Sequence, residues 1–204
     1  MSWSSVDSPP PSQEHVTRRI VVGISGSSGA IYGARLVEVL SGMEDVETHL
    51  IISDGAKATI EYETPYSVDQ VVGMADVAHD DRSMGASIAS GTFITDGMVV
   101  APCSIKTLSS VASSFAGNLI TRAADVTLKE SRRLVLVVRE TPLHRGHLRL
   151  MSQAAESGAV ILPPVPGFYT RPSTIEQIVD HTITKILDQF GLDAGLIERW
   201  AGLS

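Results

Sequence analysis

Apolar residues gather in short continuous runs, each broken off by a polar or glycine-rich turn. Residues 20–24, 97–101, 134–138 and 160–162 are such runs and, with the more mixed 46–52 (VETHLII), predict strands, of which 134–138 reads as buried. Between them the apolar spacing changes to that of a helix. Ile31, Ala34, Val37 and Leu40, with Leu36 alongside, predict a helix from Ala30 to near Gly42. Further helices are predicted over 57–63, stopped by Thr64-Pro65, and over 108–113, 119–133 and 148–157. A last helix over 173–190 opens on a capping box of Ser173 and Glu176, and Lys129, Arg132 and Arg133 suit the end of the 119–133 helix. Residues 67–81 and 83–95 read as polar loops. The alternation predicts a three-layer αβα, Rossmann-like (flavodoxin-like) parallel sheet with right-handed crossovers. One domain spans 18–190, preceded by a disordered tail over 1–17 and followed by a tail over 191–204 that offers a subunit contact.

Every special segment follows a strand, which is the carboxyl edge where parallel sheets bind ligands. The first is RRIVVGISGSSGAIYG, residues 18–33: strand, glycine and serine turn, helix start. Such a turn brings backbone close to a ligand and aims a helix N-terminus at it, so an anion is expected there. Its glycines run G-x-x-G-x-x-G, so the dinucleotide fingerprint, the Walker loop and the G-x-S-x-G elbow all fail by spacing. Ser25, Ser27, Ser28 and Tyr32 add hydroxyls; the competing reading is a tight turn with a capping serine and no ligand. Ser53-Asp54-Gly55 ends the second strand, with Asp54 read as a turn residue. Pro102 to Thr107 repeats the strand, hydroxyl turn and helix, and its Cys103 reads as a buried packing residue.

Arg139 and Glu140 stand at the mouth of the most apolar strand and are expected in the site. Asp76, His79, Asp80 and Asp81 lie close together but read as solvated loop groups ahead of a metal site. His144 and His147, three apart, read as helix-capping or solvated residues. A rigid proline-rich loop then carries Phe168, Tyr169 and Arg171, and Trp200 lies in the final tail.

Composition narrows the partners. With 204 residues and a net charge of -7, the chain is one acidic domain for which nucleic acid is not the expected partner. A single cysteine excludes an internal disulfide framework and fits a reducing cytoplasm. No run of 18 apolar residues predicts a membrane span, and the first 17 residues lack the apolar core of a secretory signal.

Five segments in order, GISGSSGAIYG, SIKTLS, LITRAADVTLKE, LVLVVRETPLH and PPVPGFYTRP, resemble the flavin prenyltransferases of the UbiX type over roughly residues 18–191. The resemblance implies a metal-independent homododecamer that alkylates reduced FMN with dimethylallyl monophosphate. The implied product is prenylated FMN, the cofactor of UbiD-type decarboxylases, including that of ubiquinone biosynthesis. It also implies that Gly26, Ser27, Ser28, Ser53, Ser104, Ile105, Lys106, Thr107 and Arg139 hold FMN. Arg122, Lys129, Arg139, Glu140, Tyr169 and Lys185 would meet the prenyl phosphate, some from adjacent subunits, with Trp200 as an aromatic wall. Glu140 is then the acid, Lys129 assists it, and Glu63 works with Ser28 in the later proton removal. Ser27 replaces the usual alanine, and Lys185 replaces the usual arginine, turning a bidentate fork into a point charge. The alternatives are an FMN-dependent decarboxylase of the cysteine-decarboxylase class, with His79 as its histidine, and a non-catalytic flavin-binding subunit.

Overall fold

Strands that are apolar along their whole length must be covered on both faces, and the computed structural model, which describes residues 17–200 and 202, places the runs 20–24, 97–101 and 134–138 inside one sheet and the run at 160–162 on its edge. In chain order the elements are β1 (Arg18–Ile24), α1 (Ala30–Ser41), β2 (Val46–Ile52), α2 (Asp54–Glu63), α3 (Val68–Gly73), β3 (Val77–Asp80), β4 (Gly97–Cys103), α4 (Ile105–Ala112), α5 (Leu119–Lys129), β5 (Arg133–Val138), α6 (Arg145–Glu156), β6 (Val160–Ile161) and α7 (Ile175–Asp188). All pairings are parallel, in the order β3-β2-β1-β4-β5-β6. This is the Rossmann order, in which the winding direction reverses between β1 and β4 and opens a crevice at their carboxyl ends.

The two-residue period of β1 divides the core. Ile20, Val22 and Ile24 face α1 and α7 with Val37, Leu40 and Ile183, whereas Val21 faces the other way with Met98, Leu108 and Ile120. Helix α1 lies unusually close to the sheet: a Cβ at Gly33 would stand 2.2 Å from the carbonyl oxygen of Ala101.

Three expectations need correction. The helix predicted over 119–133 ends at Lys129, and Arg133 already opens β5. The polar stretch 67–81 is not all loop, since it holds α3 and the edge strand β3. Their shortness hides them, although Ser67 and Gln70 form a legible capping box. Helix α7 is capped by Thr174, whose hydroxyl accepts from the Gln177 N–H at 3.3 Å, and not by Ser173 with Glu176. Ser173 instead donates its backbone N–H to Gln177 Oε1 at 2.7 Å. The expected tail over 1–17 falls, apart from Thr17, outside the described residues. Residues after Gly191 fold back, with Leu192 buried in the α1 and α7 core.

Edge strand β3 is fastened through imidazoles. His79 Nε2 lies 3.0 Å from Nδ1 of the buried His49, whose Nε2 lies 2.8 Å from Glu47 Oε1. Burial, and then the charge of His49, hold His79 below its ordinary value of 6.5. The unfolded chain therefore binds a proton there more readily than the folded one, so this stabilisation is complete above the unfolded value and is lost as pH falls below it. Unfolding by urea should show a midpoint that drops from about pH 7 to about pH 5, and His79→Gln should flatten that dependence. Parallel profiles for the two proteins would remove His79 from the account.

Candidate functional site

Four loops meet at the crevice because four adjacent strands deliver them there. The turn after β1 is tied to the turn after β4: Ser25 Oγ donates to the Pro102 carbonyl at 2.8 Å and accepts from the Ser104 N–H at 2.8 Å. The turn after β2 touches the first one backbone to backbone, since a Cβ at Gly26 would lie 3.1 Å from the Gly55 backbone. A side chain at Gly26 would crowd that backbone contact. Ser53 caps α2 by accepting from the Ala56 N–H at 3.2 Å, and Ser104 caps α4 by accepting from the Thr107 N–H at 3.2 Å. The fourth loop carries Arg139, whose N–H donates to the Cys103 carbonyl at 3.2 Å, and Glu140.

Together these loops line a cavity of about 890 Å³. Gly26, Ser27, Ser28, Ser53, Ser104, Ile105, Lys106, Thr107, Arg139 and Glu140, expected from sequence, all line it. Two helix N-termini, α2 and α4, open onto it with N–H groups that lack intrahelical acceptors. Ser27 Oγ is buried without a hydrogen-bond partner, a donor available to a ligand. Lys106 and Arg139 add positive charge, and Phe115 adds an apolar wall. Amides, hydroxyls and cations on one side, with an aromatic at the rim, suit a phosphate carried on a flat apolar body.

Other residues expected in the site lie elsewhere in the protomer. Glu63 is at its border: Oε2 accepts from the Gly29 N–H at 2.7 Å, where Gly29 caps α1 with φ +95° beside Ser28. Arg122 and Lys129, on α5, flank the segment 87–93, with Arg122 Nε donating to the Ala89 carbonyl at 3.1 Å and Lys129 paired to Glu130. Lys185 pairs with Asp188 at 3.1 Å, and Tyr169 stacks edge-on with Trp200 at 5.7 Å. None of these six expected residues lines the cavity of its own chain.

Asp81 and Asn118 also line the cavity, although the sequence marks Asp81 as a solvated loop acid and gives Asn118 no site role. Asp81 accepts from Asn118 Nδ2 at 2.8 Å and from the Ile120 N–H at 3.1 Å, anchoring the start of α5. An asparagine just before an apolar helical run is a cap signal, and Asn118 caps α5. Asp54 is held by Arg82 and Lys57, which keep its carboxyl below the usual carboxylate range. Cys103 is fully buried and its thiol is pushed up to about 12 by desolvation, so it is a packing residue and no nucleophile. His144 caps α6, its Nδ1 accepting from the Gly146 N–H at 2.9 Å. Among the described residues, no three His, Cys, Asp or Glu side chains group so as to hold a metal ion, and no helix is long and apolar enough to cross a membrane.

The family model described as Flavoprotein matches residues 8–187. The chain is 61% identical to Flavin prenyltransferase UbiX of Thauera aromatica over 184 residues, covering 90% of this chain and 94% of that one. This chain belongs to the UbiX family of flavin prenyltransferases. Its fold agrees with the crystal structure of AnUbiX (PadA1) in complex with FMN and dimethylallyl pyrophosphate, at a TM-score of 0.89 and 49% identity over 92% of this chain and 99% of that one. A dodecameric FMN-dependent UbiX-like decarboxylase from Escherichia coli O157:H7 also reaches 0.89, at 47% identity over 90% of this chain and all of the other. The Rossmann order and the edge cavity are therefore features of a UbiX-family enzyme.

Proposed function

We propose that this chain transfers the dimethylallyl group of dimethylallyl monophosphate to reduced FMN in the carboxyl-edge cavity, releasing prenylated FMN to a UbiD-type decarboxylase. The observation that carries the reading is the shared cavity: amide and hydroxyl donors of the β1 and β4 turns face Arg139 and Glu140 from β5. One set suits the phosphate of a mononucleotide; the other suits a second, leaving phosphate.

The donor set fits FMN. Ser27 with its unpartnered hydroxyl, Ser104, Thr107 and the first amides of α4 would hold its phosphate, with Gly26, Ser28, Ser53, Ile105, Lys106 and Arg139 around it. Reduced FMN, when bound, supplies the electron-rich ring that captures the allyl group. The residues of the chain handle the leaving group. As the allylic C–O bond breaks, its electron pair passes to the phosphate, and Arg139 offsets the charge that develops there. Glu140 gives that phosphate a proton, and Lys129 supports the charge. Glu63, already fixed on the Gly29 N–H, holds the loop that presents Ser28 and later accepts a ring proton.

Arg122, Lys129, Tyr169, Lys185 and Trp200 act on a site completed between subunits. Two facts support this: they lie away from the cavity of their own protomer, and a relative at 47% identity is described as dodecameric. Lys185 holds its substrate phosphate as a point charge, so Lys185→Ala should raise the KM for dimethylallyl monophosphate about ten-fold and leave FMN affinity alone. A change in FMN affinity with no change in that KM would place Lys185 on the flavin instead.

The reading is tested by anaerobic release of orthophosphate from dimethylallyl monophosphate. Release that requires reduced FMN supports it. Release without flavin, or none from FMN-loaded protein, contradicts it, and loss of carbon dioxide from an added acid would favour the decarboxylase alternative.

A further inference from the structure

Tyr169 sits on a segment that is poorly tied to the body of the protein. Residues 163–172 contain four prolines, which donate no backbone hydrogen bond, and their backbone hydrogen bonds run from Val165 to Pro163 and from Arg171 to Phe168, inside the segment. Among the described residues, the one hydrogen bond from this segment to the rest of the fold joins the Tyr169 hydroxyl to His181 Nε2 at 3.0 Å. His181 is buried on α7, its ring edge-on to Tyr169 with centroids 5.6 Å apart. The segment is moulded against that ring: a Cβ at Gly167 would lie 2.9 Å from both Cε1 and Nε2 of His181. Lys185 follows one helical turn later on the same side of α7.

We propose that His181 is a positioning residue: it fixes the direction of the Tyr169 hydroxyl, so that α7 sets both Tyr169 and Lys185 toward the prenyl phosphate. The inference rests on the reading that Tyr169 meets that phosphate. A half-exposed phenol on a proline-rich segment would otherwise have to be ordered each time substrate binds, at a loss of affinity. With the hydroxyl held by His181, that ordering is done in advance; in the tautomer in which His181 Nε2–H donates to the phenol oxygen, the Tyr169 O–H is left to donate to the substrate phosphate.

The test is a double-mutant cycle on KM for dimethylallyl monophosphate, with FMN affinity measured alongside. Tyr169→Phe and His181→Leu should each raise KM about ten-fold at unchanged FMN affinity, and the double variant should be no worse than either alone. His181→Gln, whose amide reaches the hydroxyl, should stay within about two-fold of wild type, while the shorter His181→Asn should not. These two variants decide the matter should the leucine variant fail to fold. A raised KM for Tyr169→Phe with a wild-type KM for His181→Leu or His181→Asn overturns the inference, as do effects that multiply in the double variant. An unchanged KM for Tyr169→Phe overturns the reading of Tyr169 itself, and the positioning role falls with it.

Discussion

Glu140→Gln binds FMN as tightly as the wild type and loses about two to four orders of magnitude in kcat, the range set by removing a positioned general acid. Glutamine keeps the shape and the acceptor oxygen but has no proton to give. Glu140 Oε1 accepts from the Thr141 N–H at 3.0 Å, so the side chain is already oriented by its own loop, and a glutamine carbonyl can accept the same bond. The substitution therefore separates chemistry from placement. A flavin titration and single-turnover kinetics check both halves of this result. Equal kcat for the two proteins would show that solvent or another group protonates the leaving phosphate.

Gly33→Ala is the largest expected loss of stability. On an exposed helix, alanine in place of glycine stabilises by about 1 kcal/mol. At Gly33 the added methyl meets the Ala101 carbonyl oxygen at 2.2 Å and two side-chain carbons of Ile24 at 2.8 and 2.9 Å, all buried. Backbone cannot turn aside as a flexible side chain can, so α1 must lift from β1 and β4. Overpacking of this kind costs about 3 kcal/mol or more against that gain. The net loss of about 2 kcal/mol lowers Tm by roughly 4–8 °C in a domain of this size. The Ala101 carbonyl lies three residues before Ser104, so FMN affinity should fall as well. A thermal melt with a Tm at or above wild type would contradict this packing.

Central strands were legible because burial on both faces leaves unbroken apolar runs, as in Leu134 to Val138, and the strand ends then located the ligand loops. Ser27, Ser104, Arg139 and Glu140 could be read as site residues for that reason alone. Edge strand β3 was not legible, since two half-buried residues alternating with two exposed ones carry little apolar signal. Asp81 looked like a solvated acid because its partners, Asn118 and Ile120, are more than thirty residues away in sequence. Family resemblance grouped Arg122, Lys129, Tyr169, Lys185 and Trp200 with the cavity, but within one protomer they occupy other faces. Hydrophobic periodicity describes how one chain packs on itself and contains no term for a neighbouring copy. The pairing of His181 with Tyr169 was equally hidden, because a lone buried histidine on a helix has no sequence signature.

The protein joins one five-carbon allyl unit covalently to its flavin. Mass spectrometry of the flavin extracted after anaerobic incubation with reduced FMN and dimethylallyl monophosphate measures this directly. The account predicts FMN enlarged by one five-carbon unit, formed by the wild type and strongly reduced with Glu140→Gln. Unmodified FMN from folded, FMN-loaded wild-type protein would contradict it.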